Sequence, residues 1–264
     1  MGDSHGTSRG QRLRNLPGRM TQERYTLAQV RASYGSGKRW SELEGDLPSF
    51  LLYRPVSIWI TPLFLRLGIP ASAVTLAAGA LSACLPFVAW HGGDQAYAMV
   101  AVLALVIHVF DCLDGNIART SGSVSGTGAL LDGFVDLCFW SLYLVSIGIL
   151  ARQAGGILGP WALEISLTLA LLVLLHRLLR DSYEQLFSER ADFTASPPPR
   201  LTAFEMARIA FIGCERLYAF AILCGGAFGV LDKVFAGIAA YVVAIFLGAV
   251  FITFNAARRR GSRR

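Results

Sequence analysis

The chain has 264 residues, of which 54% are apolar and only 16% charged, and its formal net charge is +6. Soluble domains average roughly 45–50% apolar and about 25% charged residues, so this is the composition of a membrane protein. The positive charge gathers at the chain ends and in particular loops, which argues for membrane topology and against a nucleic-acid partner. The five cysteines lie in apolar runs without CxxC spacing and indicate neither a zinc site nor a disulfide framework.

The chain opens with a polar and basic segment, residues 1–45, which lacks the apolar core of a secretory signal peptide. We expect this segment to be a mobile cytosolic tail. Residues 46–71 follow, rich in Leu, Ile, Phe and Trp but interrupted by Pro62 and Arg66. This pattern predicts an amphipathic helix that lies on the membrane surface.

Six later apolar stretches are each long enough to cross a bilayer, which takes roughly 20 residues per helix. We place them at 72–91, 96–118, 128–151, 158–180, 207–230 and 233–257. The predicted fold class is therefore an all-α integral membrane protein with six transmembrane helices, preceded by the N-terminal amphipathic surface helix. The transmembrane domain would occupy residues 72–258, and a basic C-terminal tail residues 259–264.

Lys and Arg residues predict the orientation of these spans. They are abundant before residue 72, at the C-terminus and between the fourth and fifth spans, whereas the opposite side has only Arg152 and Lys233. The positive-inside rule then places both termini in the cytoplasm. We expect a multi-pass protein of the cell (inner) membrane, and the terminal arginines would anchor it to anionic lipid.

An acidic array straddles the connection between the second and third spans. It reads Asp111-x-x-Asp114-Gly115-x-x-Ala118-Arg119 and then Gly128-x-x-x-Asp132-x-x-x-Asp136. Spacings of three and four residues put each aspartate pair on one helix face. Carboxylates in an apolar setting must be protonated or bind cations, and divalent metals prefer such oxygen ligands. Small residues beside the acids would let the phosphates and base of a ligand approach the helix backbones.

The array resembles the signature of the CDP-alcohol phosphotransferase family. The resemblance is tightest over residues 111–136 and, in the pattern of spans, extends from about 50 to 258. It implies a CDP-linked lipid donor such as CDP-diacylglycerol, a small alcohol or phosphorylated polyol as acceptor, and release of CMP. A diacylglycerol that accepts from CDP-choline or CDP-ethanolamine also fits the array. A cytosolic array would meet a nucleotide donor that is made in the cytosol, so the orientation and the resemblance agree.

The resemblance also implies residue roles. Two Mg²⁺ or Mn²⁺ ions would be held by the four aspartates, and the last of them, Asp136, would also be the general base for the acceptor hydroxyl. The CDP-binding residues would be Asp114, Gly115, Ala118, Arg119 and Gly128. Close helix packing is the alternative interpretation of the small residues. We also expect a homodimer surrounded by membrane lipids.

Four further ionisable residues are candidates for acceptor binding. His176 and Arg177 lie at the cytosolic end of the fourth span, and Glu215 and Arg216 lie inside the fifth. Charges within a span are usually functional or paired. Interfacial anchoring is the alternative for the first pair, and a structural ion pair is the alternative for the second.

Two other functions fit part of the pattern. An intramembrane prenyltransferase also uses Asp-rich motifs and Mg²⁺, but its motifs lack the Asp-Gly-x-x-Ala-Arg continuation and its bundle needs more spans. A cation transporter could use the acids as its ion site, but the paired half-repeats and broken helices that are common in transporters are not evident here. Release of CMP from a CDP-linked lipid would separate the three functions.

Overall fold

The computed structural model describes residues 25–35, 39, 42–43, 46–187, 209 and 211–261. Within these ranges the chain forms helices and no β-strand. The α-helices are α1 (Leu27–Ser33), α2 (Arg54–Arg66), α3 (Ala71–His91), α4 (Ala96–Ser121), α5 (Gly126–Ala154), α6 (Ala162–Phe187), α7 (Tyr218–Ala227) and α8 (Leu231–Gly261). A π-helical turn, Ser49–Tyr53, leads into α2, and a 3₁₀ turn, Gly213–Leu217, leads into α7.

Five helical segments in the described ranges are long and apolar enough to cross a membrane. They are Ala71–His91, Gly93–Ser121, Gly126–Ala154, Gly159–Phe187 and Leu231–Arg259. The prediction of an all-α, multi-pass membrane protein is thus confirmed at this level. The sixth predicted span, 207–230, is described only at 209 and from 211 onward, where the 3₁₀ turn and α7 lie. Six crossings therefore remain a prediction.

The connection between α4 and α5 brings the two halves of the acidic array to one end of the bundle. Helix α4 ends at Gly122, whose φ of 71° is the left-handed conformation that glycine adopts without strain. Helix α5 begins after Ser125, whose side chain accepts a hydrogen bond from the Gly128 amide. Because only four residues separate the helices, the acids of α4 and α5 face each other close to this turn.

The core lies where α3 packs against α4 and α5 and where α5 packs against α6. Buried aromatic side chains of α5 fill its centre, and Phe139 stacks on Tyr143 with ring centroids 5.2 Å apart. Tyr218 of α7 meets Trp140 edge-on, with centroids 6.2 Å apart. Large rings that interlock in this way fix the rotation of α5, and with it the direction in which the aspartates of α5 point.

Helix α2 has its polar residues turned inward and its apolar residues turned outward. Ser57 and Thr61 are fully buried, whereas Trp59 and Leu63 are 67% and 56% exposed. An outward apolar face suits contact with lipid, although the position of α2 at the membrane surface stays a prediction. The helix also continues through Pro62 to Arg66 instead of breaking there. Proline removes only one backbone hydrogen bond, and the buried face of α2 holds the remaining turns.

Part of the N-terminal segment is structured, which differs from the expectation of a mobile tail over 1–45. Helix α1 begins at a capping box in which the Thr26 side chain accepts from the Gln29 amide and the Gln29 side chain accepts from the Thr26 amide. Val30 is fully buried and packs in a small cluster with Leu65 of α2 and Leu113 of α4. This packing fastens α1 beside the helix that carries the first half of the array.

Candidate active site

The four aspartates of the array line one narrow cleft between α3, α4 and α5. The cleft is also lined by Thr75 of α3 and His108 of α4. Asp114 is the most enclosed of the acids at 6% exposure, and it accepts a hydrogen bond of 2.6 Å from the Thr75 hydroxyl. Thr75 is a site residue that the sequence did not reveal, because a threonine in an apolar span is ordinarily bonded to its own helix.

Two of the aspartates form ion pairs with arginines from the other side of the bundle. A terminal nitrogen of Arg177 on α6 lies 2.6 Å from Asp136 Oδ2. A terminal nitrogen of Arg216, in the 3₁₀ turn before α7, lies 3.3 Å from Asp111 Oδ2. The charge of the array is thus partly balanced by the protein itself, as carboxylates in an apolar bundle require.

The donor set of the cleft suits a hard divalent cation. Asp111, Asp114, Asp132 and Asp136 offer only carboxylate oxygens, which Mg²⁺ and Mn²⁺ prefer. Within the described part of the chain, however, no three His, Cys, Asp or Glu side chains converge into a preformed metal group. The cleft therefore contains the carboxylates that a metal would need, but two of these carboxylates are paired with arginines.

A larger cavity of about 340 Å³ adjoins the cleft. Its ionisable carboxylate, imidazole and guanidinium groups come from four elements of the fold and belong to Asp46, Asp136, His176, Arg177, Arg180, Glu215 and Arg216. All four residues that the sequence indicated for the acceptor therefore lie on one cavity, although their role there stays a prediction. Asp136 and Arg216 line both the cavity and the cleft, so the two spaces meet at these side chains.

Arg216 connects the cleft to the segment that precedes α2. Its Nε lies 3.1 Å from Asp46 Oδ2, and one terminal nitrogen lies 3.0 Å from His108 Nδ1. Its carbonyl accepts a 2.6 Å hydrogen bond from Tyr53. Burial raises the pKa of Tyr53 to about 12, which keeps this hydroxyl protonated as a donor. Arg216 is thus bound by two acids of the protein, Asp46 and Asp111.

Asp46 is a second site residue that sequence analysis missed. Its carboxylate accepts from the Ser49 amide at 3.2 Å, as a residue at the start of a helical turn does. The spacing Asp46-x-x-Ser49 carries that local signal. It does not reveal that the carboxylate reaches Arg216 and the cavity, because this contact joins residues 170 positions apart.

The residues expected to bind the donor lie along the ends of α4 and α5 nearest their connection. The Arg119 guanidinium folds back over Gly115, where an added Cβ would lie 3.1 Å from one of its nitrogens. Ala118 and Gly128 are half-buried. A Cβ on Gly128 would meet only the Ser125 hydroxyl, at 3.1 Å, so the space beside this glycine is otherwise open.

The fold and the site together define a helical membrane protein with an acidic, oxygen-rich cleft beside a cavity that is lined by both signs of charge. The sequence model of the CDP-alcohol phosphatidyltransferase family matches residues 69–260, which include the whole array. The chain belongs to this family, and the resemblance in the array is confirmed. The family transfers a phosphoalcohol group from a CDP-alcohol donor to an alcohol acceptor. A comparison with curated proteins gives no match.

Proposed function

We propose that the protein transfers the phosphatidyl group of CDP-diacylglycerol to a small alcohol, releases CMP, and so contributes to phospholipid biosynthesis. The observation that carries this proposal is the position of Asp136. Its carboxylate lines both the acidic cleft, where the CDP donor would bind, and the 340 Å³ cavity, where an acceptor would bind. A base for the acceptor hydroxyl has to stand between the two substrates.

In the proposed reaction Asp136 takes the proton of the acceptor hydroxyl. The acceptor oxygen forms a bond to the β-phosphorus of the donor, the bond from that phosphorus to the oxygen of CMP breaks, and CMP leaves as a phosphate monoester. Thr75 would hold Asp114 in a fixed orientation, and the open space beside Gly128 would admit the nucleotide. Arg119, Gly115 and Ala118 would line the same side of the donor.

Two divalent ions, Mg²⁺ or Mn²⁺, would be held by Asp111, Asp114, Asp132 and Asp136. When bound, they would neutralise the donor diphosphate and the charge that collects on the leaving CMP. The all-oxygen donor set supports this assignment. A cation at Asp111 would take the place of Arg216, and Asp136 would become available when Arg177 turns to a phosphate.

The chemistry of the cavity favours a phosphorylated polyol as the acceptor. Arg177, Arg180 and His176 offer donors for a phosphate, and Arg177 is well placed because it already contacts Asp136. Asp46 and Glu215 offer carboxylates that could accept hydrogen bonds from hydroxyl groups. A cavity lined by both signs of charge fits a ligand that carries a phosphate at one end and hydroxyls at the other.

We further propose six crossings, with both termini and the cleft on the cytoplasmic side of the inner membrane. The distribution of Lys and Arg supports this orientation, and the apolar sequence of α7 supports a crossing over 207–230. A homodimer remains a prediction from the sequence. Membership of the family favours the transferase over a prenyltransferase or a cation transporter.

The direct test incubates purified protein with CDP-diacylglycerol, Mg²⁺ or Mn²⁺ and a panel of acceptors, and measures CMP and lipid product. The panel pairs inositol phosphate with inositol and glycerol phosphate with glycerol, and adds serine. We expect turnover only with a phosphorylated acceptor, loss of turnover in excess chelator, and recovery when the metal is restored. Turnover with CDP-choline and diacylglycerol, but not with CDP-diacylglycerol, would show that the assigned donor is wrong.

A further inference from the structure

We infer that Asn116 is a positioning residue, which holds the guanidinium of Arg119 against Gly115 on the donor side of the cleft, and that Arg54 fixes Asn116 in turn. The inference rests on the proposed function in one respect, namely that Arg119 binds the CDP donor. It adds two residues from two helices, Asn116 and Arg54, to the machinery of donor binding, and neither lines the cleft or the cavity.

The contact between Asn116 and Arg119 sets where the guanidinium lies. A terminal nitrogen of Arg119 donates to Asn116 Oδ1 over 2.9 Å, one turn back along α4. The guanidinium then lies over Gly115, the residue after Asp114. Arg119 Nε is buried and has no hydrogen-bond partner within the described part of the chain. An arginine held by one bond, with one buried donor to spare beside an acidic cleft, suits an anionic phosphate.

The amide of Asn116 can adopt only one orientation. Its oxygen accepts from both Arg119 and Arg54, each at 2.9 Å, and its nitrogen donates to Ser57 Oγ at 3.0 Å. Rotating the amide by half a turn would point its NH₂ group at two guanidinium groups, which cannot accept a hydrogen bond. Because Asn116 is almost completely buried, water cannot replace the lost bonds. The oxygen is therefore a fixed anchor for Arg119.

Arg54 is fixed from the N-terminal side of the fold. It is itself buried, and it forms an ion pair with Glu42 in which Arg54 Nε donates to Glu42 Oε2 at 2.9 Å. The terminal nitrogen that reaches Asn116 also donates to the Cys112 carbonyl at 2.9 Å. The guanidinium lies over the ring of Tyr34, 5.0 Å from its centroid. A buried arginine with this many partners is held in one position, and its hydrogen bond therefore holds the Asn116 amide in place.

A double-mutant cycle tests whether Asn116 acts through Arg119. Asn116→Ala should raise the KM for the CDP-linked donor about tenfold, the effect of one charge-assisted hydrogen bond, and leave kcat nearly unchanged. Arg119→Ala should raise the same KM at least as much. The donor KM of the double variant should be no higher than that of Arg119→Ala alone, because Asn116 Oδ1 then has no guanidinium to position. Ser121→Ala, on the same helix but bonded to its own backbone, is the matched control and should match wild type.

A conservative variant keeps the test decisive if removal of the amide prevents folding. Asn116→Asp retains an oxygen that can accept from both arginines, so its donor KM should stay within about threefold of wild type. The inference would be overturned if the donor KM of the double variant rose by the product of the two single effects. It would also be overturned if Asn116→Asp weakened donor binding. Failure of the proposed function has a different result, because wild type would then release no CMP from CDP-diacylglycerol. The double-mutant cycle would in that case be run with whichever CDP-alcohol the protein accepts.

Discussion

Asp136 and Arg177 form an ion pair of 2.6 Å where the acidic cleft meets the larger cavity. Their side chains are 18% and 20% exposed, so the pair is shielded but remains within reach of a ligand. A phosphate that enters the cavity would compete for Arg177, because a charged guanidinium binds phosphate as readily as carboxylate. Arrival of a phosphorylated acceptor would then release the Asp136 carboxylate at the moment its hydroxyl substrate is present.

Substitution of Asp136 should separate proton transfer from metal binding. Asp136→Asn should lower kcat roughly 100- to 10,000-fold, since a neutral amide cannot take the proton of the acceptor. Binding of the CDP donor should be largely retained, because three carboxylates remain for the metals. Asp111→Asn should lose donor affinity along with rate. The measurement is CMP release and donor binding for both variants in one detergent. An Asp136→Asn protein with wild-type turnover would exclude Asp136 as the base.

Gly128 offers a test of where the donor lies, with Gly133 as its control on the same helix. A Cβ at Gly128 would meet only Ser125, and at Gly133 it would have no atom within 4 Å. Gly128→Val and Gly133→Val should therefore both give folded protein, because neither side chain is forced into the bundle. Only Gly128→Val should weaken donor binding, by about tenfold or more, since its methyl groups occupy the space proposed for the nucleotide. Equal donor affinity in the two variants would place the donor elsewhere.

A buried ion pair joins Glu42, between α1 and α2, to Arg54, which in turn bonds to α4. Glu42 and Arg54 are each 7% exposed, and Arg54 would keep its charge if Glu42 were removed. Glu42→Ala should therefore cost about 3–5 kcal/mol of stability, because it leaves a buried charge unpaired. Asp181→Asn removes the partner of Arg180 in a pair that is more than half exposed, and should cost about 0–1 kcal/mol. Thermal unfolding in detergent compares the two, and similar losses would contradict the structural role of Glu42.

The elements that the sequence predicted well are those whose signal is local. Run length and mean hydropathy predicted α3 to α6 and α8, and the spacing of the acids predicted that α4 and α5 would carry the array. Helix α1 has a local signal too, the capping box of Thr26 and Gln29, but its burial depends on contacts with α2 and α4. Thr75, Asp46 and Arg54 reach the site or its supports only through contacts between distant segments. The spacing of residues along the chain does not predict such contacts, because they depend on how the helices pack.

At the scale of the whole molecule, the 3₁₀ turn before α7 closes the site by joining segments far apart in the sequence. Its Arg216 contacts Asp46 before α2 and Asp111 on α4. Gly213, in the same turn, packs so closely on Pro48 that an added Cβ would lie 2.6 Å from the proline ring. The cavity, which Asp46 and Arg216 both line, is therefore complete only when the N-terminal segment and the start of α7 are both in place. For that reason residues 69–260, which carry the family match, are not the whole of the site.

The number of crossings determines on which side of the membrane the connection between α7 and α8 lies. With six crossings, Lys233 at the start of α8 lies outside together with Asp94, whereas Val124 between α4 and α5 lies in the cytoplasm. With five, Lys233 would be cytoplasmic. Single cysteines at the three positions, labelled in intact cells with a membrane-impermeant maleimide, should react at 94 and 233 and not at 124. The parent chain corrects for its five native cysteines, and permeabilised cells show that position 124 is reactive.

Labelling of position 124 in intact cells would show that the bundle has the opposite orientation. The cleft would then face away from the compartment that supplies the nucleotide. Protection of position 233 alone would leave the orientation intact but reduce the crossings to five. The experiment therefore separates the direction of the bundle from the crossing by α7. Only the direction bears on the proposed donor, because the α4–α5 connection beside the cleft must face the compartment in which CDP-linked lipids are made.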